Sequence, residues 1–185
     1  SDLKTLSLFV ILFLCSLSSC SLVGPAQDDH GKRTYGTKWD DKNATKLILK
    51  RLKSELPEVK KMNVNATVFN GVALLTGQTN EESVKARAGE LAEEIRHVSK
   101  VYNEIEIAGP TAFLARRNDD ILKTKIKSRQ WASEAVAAGR IKVVVENGVV
   151  YLMGLVTREE AASAVEEAKA AYGIQKIVQA FEFIN

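Results

Sequence analysis

The sequence predicts an α+β protein that contains two copies of one small domain, each ordered α-β-β-α-β with two helices on a three-stranded sheet. Two observations carry this prediction. The segment Val68–Gly77 returns 77 residues later as Val145–Gly154, so the chain contains an internal repeat. In each copy an Asn-Gly pair separates two β-rich runs, and Asn-Gly accepts the positive φ that a two-residue hairpin turn demands.

The remaining elements follow from local patterns around these hairpins. Strands are predicted at residues 63–69, 72–76 and 101–107 in the first copy and at 141–146, 149–153 and 177–184 in the second. Helices with one apolar stripe and an acidic first turn are predicted after the hairpins, at 81–96 and 159–172. Gly77 and Gly154 occupy equivalent positions, where we expect a side chain to be poorly tolerated.

A helix is also predicted before each hairpin, over about 43–56 and 120–138. The acidic groups Asp40-Asp41 and Asn118-Asp119-Asp120 are expected to cap the free amides at the helix starts. The inward side chains of the first helix are predicted to be Ala44, Leu47, Ile48 and Leu52, and Leu122, Ile126 and Trp131 are predicted to supply apolar surface on the second. Packing two helices on a sheet would bury these faces.

The composition suits a folded globular protein with an apolar leader. The chain has 185 residues, 45% of them hydrophobic and 26% charged, with a net charge of +3. The longest apolar run, residues 6–17, is 12 residues long, short of the roughly 20 that a membrane-spanning helix needs. Its place near the start instead fits the hydrophobic part of a secretory signal.

The string Leu17-Ser18-Ser19-Cys20 after this run resembles a bacterial lipobox. The resemblance implies that residues 1–19 are a lipoprotein signal peptide, that Cys20 receives a diacylglyceryl group on its thiol, and that its new amine is acylated. Ser21, by the same resemblance, implies export to the outer membrane. The alternative is an ordinary signal peptide with a chance cysteine.

The predicted domain plan follows from these features. Residues 20–39 form a lipidated cysteine and a polar, glycine-punctuated tether, in which Tyr35 and Trp39 rest either on the first domain or on the bilayer surface. The first domain covers residues 40–108, a linker 109–117 and the second domain 118–185.

The duplication, the α-β-β-α-β order, the two glycines and the lipobox together resemble the dual-BON-domain lipoproteins. The segments Val101–Ile105 and Glu146–Thr157 carry the same resemblance. It implies two tandem BON domains in an outer-membrane lipoprotein that faces the periplasm. It also implies binding of anionic phospholipid, a role in envelope integrity and concentration at the division site.

Enzyme chemistry finds little support in the residue types present. The histidines are His30 and His97, and processing at Cys20 would leave no free thiol, so nucleophile–base pairs and Cys/His metal sites lack their residues. The glycines are spaced for hairpins and form no phosphate-binding loop. Paired carboxylates such as Glu81-Glu82 are more often solvated helix faces. We therefore predict no enzyme activity, no metal and no cofactor.

The charge distribution offers a binding function. Residues 42–61 hold seven basic and two acidic residues, and residues 111–132 hold six and two, whereas both later helices are acidic. A basic helix suits an anionic lipid surface, where each Lys or Arg contributes about 1 kcal/mol. The alternative is that the basic and acidic helices simply neighbour each other within each domain.

The family resemblance assigns phospholipid binding to the first helix of the second domain. The residues expected there are Ile121, Leu122, Lys123, Lys125, Lys127, Arg129 and Trp131. Ile121 and Leu122 would enter the acyl boundary while the basic side chains hold head groups. The alternative function is an adaptor that binds an envelope protein through the exposed sheet and helices. Nucleic acid is not expected as a partner, because export removes the chain from cytoplasmic DNA and aromatic residues do not interleave with the basic ones.

Overall fold

The internal repeat of the sequence is also a repeat of structure. In the computed structural model, which describes residues 31–109 and 113–184, each copy runs helix, hairpin, helix, strand. The first copy comprises α1 (Tyr35–Glu55), a 3₁₀ turn (Pro57–Lys61), β1 (Val64–Phe69), β2 (Val72–Thr79), α2 (Glu82–Glu93), β3 (Lys100–Asn103) and β4 (Glu106–Ile107). The second comprises α3 (Phe113–Ala132), a 3₁₀ turn (Ala138–Arg140), β5 (Ile141–Glu146), β6 (Val149–Val156), α4 (Arg158–Lys169) and β7 (Lys176–Phe183). The predicted α+β class is confirmed.

Each sheet is built around the second hairpin strand. β1 and β5 run antiparallel to β2 and β6, while β3 and β7 lie parallel on the other side. The single closing strand predicted for the first copy is divided into β3 and β4, because the chain between them turns the side chain of Ile105 into the core, where it is 1% exposed. β7 continues without a break for eight residues.

The two helices of each copy cover one face of its sheet, as predicted. In the first copy Ala44, Ile48 and Leu52 of α1 pack with Leu91 of α2 and Leu75 of β2. Leu47, predicted to point inward, instead lies at the surface with 44% exposure, and Trp131, predicted to supply apolar surface, is 69% exposed. Leu47 precedes the buried Ile48 and Trp131 follows the buried Gln130, and the turn of about 100° per residue carries each of them from that buried side toward solvent.

The first helix of each copy starts earlier than predicted. α1 begins at Tyr35, inside the segment predicted as tether, and Thr34 caps it by accepting a hydrogen bond from the Thr37 amide at 3.1 Å. α3 begins at Phe113. Asp41 and Asp119 therefore lie within helices, and the prediction that they cap helix starts is wrong.

The two aspartates cap the hairpin turns instead. The Asp41 carboxylate accepts hydrogen bonds from the amides of Asn70 and Gly71 at 2.8 and 3.0 Å. Asp119 accepts the equivalent bonds from Asn147 and Gly148 at 2.6 and 2.7 Å. All four turn residues have positive φ, between 50° and 77°, as the Asn-Gly signal predicts. Each turn is thus bonded to the helix that packs beside it.

Asp41 has further partners. His97 Nε2 lies 2.8 Å from Oδ1, and Arg33 donates to Oδ2 at 2.5 Å. Burial of this carboxyl raises its pKa, but the hydrogen bonds from Gly71, His97, Asn70 and Arg33 together outweigh burial and hold the pKa below its ordinary value. His97 is thus part of this structural cluster.

The second face of each sheet packs against the other sheet. The shared core consists of Phe69, Val72, Leu74, Tyr151, Met153 and Ala180. Asn63 donates to Glu146 and Asn70 donates to Glu182, each at 2.9 Å, and these bonds link the two copies at the edges of the apolar contact. The architecture is therefore helix, sheet, sheet, helix. The exposed sheet face that the adaptor hypothesis required is buried between the domains.

Replacing Gly154 tests the hairpin geometry. A Cβ at Gly154 would lie 2.7 Å from the Arg140 carbonyl oxygen, and at Gly77, where φ is +114°, it would overlap the Asn63 carbonyl oxygen. Gly154→Ala should lower the free energy of unfolding by about 1–3 kcal/mol, measured by urea denaturation. Gly139→Ala is the matched control, because nothing lies within 4 Å of that Cβ position. Equal stabilities for the two variants would contradict the geometry.

Replacing Asp41 tests the turn cap. Asp41→Asn should cost about 1–3 kcal/mol at neutral pH, because an amide cannot accept as many hydrogen bonds as the carboxylate. Since the native pKa is lowered, the stabilisation by Asp41 is present above the unfolded value of about 3.8 and is lost as the pH falls below it. The stability difference from the wild type should therefore shrink in acid. Asp40→Asn, at the exposed neighbouring position, should change stability by less than about 0.5 kcal/mol.

Candidate functional site

The core contacts of α3 decide which of the predicted lipid-binding residues can face a ligand. Among the described side chains of α3, the buried ones are Asp119, Leu122, Ile126 and Gln130, with 7%, 6%, 0% and 2% exposure. Leu122 therefore cannot enter a bilayer beside Ile121, as the sequence suggested, because its side chain is part of the core of the second domain. Ile121 is 49% exposed and remains available.

One flank of α3 borders a cavity at the end of the second domain. Ile121 and, one turn later, Lys125 line this space of about 310 Å³ together with the Asn147-Gly148 turn and the loop after α4. Tyr172 lies in that loop and is 94% exposed. A half-exposed aliphatic side chain, an exposed tyrosine and a lysine thus share the rim of one cavity.

Tyr172 is the functional candidate that the sequence analysis missed. The predicted helix extends to Tyr172, but α4 ends at Lys169 and Gly173 turns the chain with φ +101°. The signal was present in the sequence as an aromatic residue directly before a glycine that can end a helix. Because Tyr172 comes after the last helical turn, it is not held on the face that packs on the sheet.

The other flank of α3 faces a different neighbour. Lys123 and Lys127, one turn apart, lie near Lys142 of the edge strand β5; burial lowers the pKa of Lys142, and the charges of Lys123, Lys127 and Arg33 lower it further. Trp131 follows Lys127 by four residues on this flank. The predicted set is therefore split into an Ile121–Lys125 flank and a Lys123–Lys127–Trp131 flank.

Arg129 is bound to the neighbouring helix. Its guanidinium lies 3.0 Å from the Glu167 carboxylate and donates to the Glu167 carbonyl oxygen at 3.3 Å. A lipid phosphate would have to compete with these contacts. Arg129 is thus the least available of the basic residues predicted for the site.

Ion pairs join the basic and acidic helices within each domain. Arginines join the basic and acidic helices of each domain, through Arg51–Glu94 at 2.8 Å, Arg87–Glu55 at 3.0 Å and Arg129–Glu167. Lysines of α1 and α3 form no ion pair with any carboxylate in the described part of the chain. These pairs fit the neighbouring-helix explanation for the arginines.

The described residues also bear on metal binding and on membrane-spanning helices. Among residues 31–109 and 113–184, no three His, Cys, Asp or Glu side chains converge in a way that could hold a metal ion. Within the same ranges, none of the helices combines the length and the apolar character needed to cross a bilayer. Cys20 and the rest of the lipobox lie outside the described residues.

Comparison with known proteins gives a family and two relatives. The BON domain model matches residues 40–109 and 118–185. The chain is 32% identical over 153 residues to the outer membrane lipoprotein DolP of Haemophilus influenzae, covering 83% of this chain and 79% of that protein. It is 29% identical over 164 residues to a protein named 21 kDa hemolysin from Actinobacillus pleuropneumoniae, covering 85% and 84%.

Among solved structures, the C-terminal domain of CdsD, a structural protein of the type III secretion system of Chlamydia trachomatis, aligns with 78% of this chain and 67% of its own. The TM-score is 0.31 at 15% sequence identity. These values carry no argument about function.

Proposed function

Because the chain belongs to the BON-domain family and carries two copies of the domain, we propose that it is a lipid-anchored protein of the outer membrane, facing the periplasm, whose second domain binds anionic phospholipid. The two matched segments and the identity to an outer membrane lipoprotein confirm the resemblance predicted from the hairpin motifs. The lipobox ending at Cys20 supplies the proposed anchor, a diacylglyceryl group and an acyl chain. Two or more chains are needed for stable membrane residence.

The observation that carries the lipid-binding proposal is the shared rim of Ile121, Tyr172 and Lys125. An exposed aliphatic side chain loses contact with water when it enters the acyl boundary, which is favourable by about 25 cal/mol per Å². A tyrosine suits the boundary itself, since its ring is apolar and its hydroxyl is polar. Lys125 can stay at head-group level, and the cavity behind it offers room for polar head-group atoms.

The lysines of the other flank extend this surface. Lys123, Lys127 and Lys142 concentrate positive charge beside α3, and each is worth about 1 kcal/mol near an anionic surface. In this proposal the binding of phospholipid places the second domain on the membrane and supports envelope integrity, with the division site as the proposed location.

The adaptor function is kept as the second candidate, because a different surface favours it. Phe183, 44% exposed, lies with Arg158 and Val165 around a groove of about 350 Å³ on the outer side of the second domain. This groove at a helix–strand junction is lined by both polar and apolar side chains, a mixture that is suited to a protein segment. This surface is separate from Ile121 and Tyr172.

Cys20→Ala tests the anchor. Without the thiol no thioether to a diacylglyceryl group can form, so the variant should incorporate no labelled palmitate and should leave the membrane fraction. Cys15→Ala is the matched control, since it removes the other cysteine and should keep the label. Incorporation of label by the Cys20→Ala protein would remove the lipobox interpretation.

Ile121→Asp tests the lipid site. In vesicle flotation with the unlipidated chain from Ser21 onward, this charge at the acyl boundary should weaken binding to phosphatidylglycerol vesicles by about tenfold or more. Tyr172→Ser should weaken it by a smaller factor, and raising the salt concentration should weaken every variant further.

Ile107→Asp is the matched control for this experiment. Ile107 has 47% exposure against 49% for Ile121, but it lies in the first domain. The two changes therefore add the same charge at equally exposed isoleucines. If Ile107→Asp weakened binding as much as Ile121→Asp, the second-domain site would be wrong; if neither changed it, the adaptor function would be favoured.

A further inference from the structure

The solvent face of α1 carries a straight row of aromatic and basic side chains. The row, called here the α1 stripe, consists of Tyr35, Trp39, Lys42, Lys46, Lys50 and Lys53. Its members are three or four residues apart and therefore lie on one side of the helix. The buried positions Asp41, Ala44, Ile48 and Leu52 lie on the opposite side. The stripe is thus the part of the first domain that points most directly away from its core.

Both aromatic residues of the stripe are exposed. Tyr35 is 90% and Trp39 is 64% exposed. The sequence allowed two positions for these side chains, on the first domain or on the bilayer surface. With this exposure, neither side chain is packed into the first domain. Among the described residues, Lys38 Nζ lies 5.4 Å from the centre of the Tyr35 ring, and most of the surface of both side chains, each with an apolar ring and a polar atom, stays open.

The four lysines of the stripe are also available. In the ion pairs between α1 and α2 the carboxylates are bound by arginines: Glu94, at the end of α2, by Arg51 of α1, and Glu55 of α1 by Arg87 of α2. Lys60 joins Lys46, Lys50 and Lys53 around a shallow groove of about 510 Å³ whose floor includes Leu49. The stripe therefore presents uncompensated positive charge over lysine stems and an aliphatic floor.

We propose that the α1 stripe is a second membrane-facing surface, on which the first domain lies against anionic phospholipid head groups. Tyr35 and Trp39 would enter the interface between head groups and acyl chains at one end, and the lysines would lie over the phosphate layer along the rest. This goes beyond the proposed function, which assigns lipid binding to the second domain.

The shape and chemistry of the stripe favour a bilayer over a protein partner. From Tyr35 to Lys53 it extends about 27 Å at 1.5 Å per residue, so it matches an extended charged surface better than a single small ligand. Protein interfaces are depleted in lysine and enriched in arginine, whereas all the basic residues of the stripe are lysines. Lysine acts as a point charge that suits a layer of mobile phosphates, and tyrosine and tryptophan are enriched at membrane interfaces.

The stripe begins a short distance in sequence after Cys20, the proposed site of the lipid anchor. Fourteen residues lie between Cys20 and Tyr35, and even fully extended this segment reaches no more than about 50 Å. If Cys20 is lipidated as proposed, the aromatic end of the stripe is held within that distance of a bilayer. The local concentration of lipid surface then favours even a weak contact.

The test measures cosedimentation of the unlipidated chain from Ser21 onward with vesicles of phosphatidylethanolamine and phosphatidylglycerol. Lys46→Glu with Lys50→Glu should weaken binding by about tenfold or more, because two attractive charges become repulsive. Lys169→Glu with Lys176→Glu makes the same change in net charge at exposed lysines of the second domain and should have a much smaller effect. Quenching of tryptophan emission by brominated lipid should fall in Trp39→Phe.

Each result supports or overturns the second surface. Wild-type binding by the Lys46/Lys50 variant together with loss of binding by Ile121→Asp would overturn the α1 stripe and leave the proposed function standing. An equal loss with the Lys169/Lys176 pair would overturn it as an effect of net charge alone. Undiminished quenching in Trp39→Phe would place Trp39 outside the bilayer. Failure of the wild type to bind these vesicles, while the stripe binds a poly-glutamate peptide, would assign it to an acidic protein and overturn both lipid surfaces.

Discussion

Each small sheet of this protein has two apolar faces but only one layer of helices to cover them. β2 is buried at all eight of its positions, which is possible only if both sides of the strand are covered. The helices cover one side, and the sheet of the other domain covers the second through Leu74, Tyr151 and Met153. The duplication is therefore a structural requirement: one domain supplies the layer that the other lacks.

The parts of the fold that depend on local sequence could be predicted, and those that depend on distant contacts could not. The Asn-Gly turns need only positive φ at adjacent residues, so the hairpins followed directly from the sequence. Asp41 and Asp119 were assigned to helix caps, because an aspartate near a helix start usually acts there. Their real partners, the turn amides, lie 28 to 30 residues away and meet them only in the folded domain. The contact between sheets was missed for the same reason.

In the candidate surfaces, too, some features could be predicted from the local sequence and others depend on distant contacts. The excess of basic residues in the first helices was evident from the sequence, but the different roles of lysine and arginine were not. The structure pairs Arg51 and Arg129 with acidic side chains of the neighbouring helices and leaves the lysines beside them unpaired. Leu122 and Ile121 are adjacent apolar residues in the sequence, yet only the packing of α3 decides which one is exposed. Such choices depend on the rotation of a helix about its axis, which composition does not determine.

Arg33 binds the segment before α1 to the folded first domain. Its guanidinium is bonded to Asp41 and lies 3.5 Å from the centre of the Phe69 ring, which belongs to the contact between the sheets. Tension along the chain from the N-terminal side would therefore meet this clamp before it reaches the first turn of α1. The force would act at the same time on the Asp41 carboxylate, on the hairpin turn bonded to it and on Phe69 in the sheet contact. It would not unwind α1 one turn at a time.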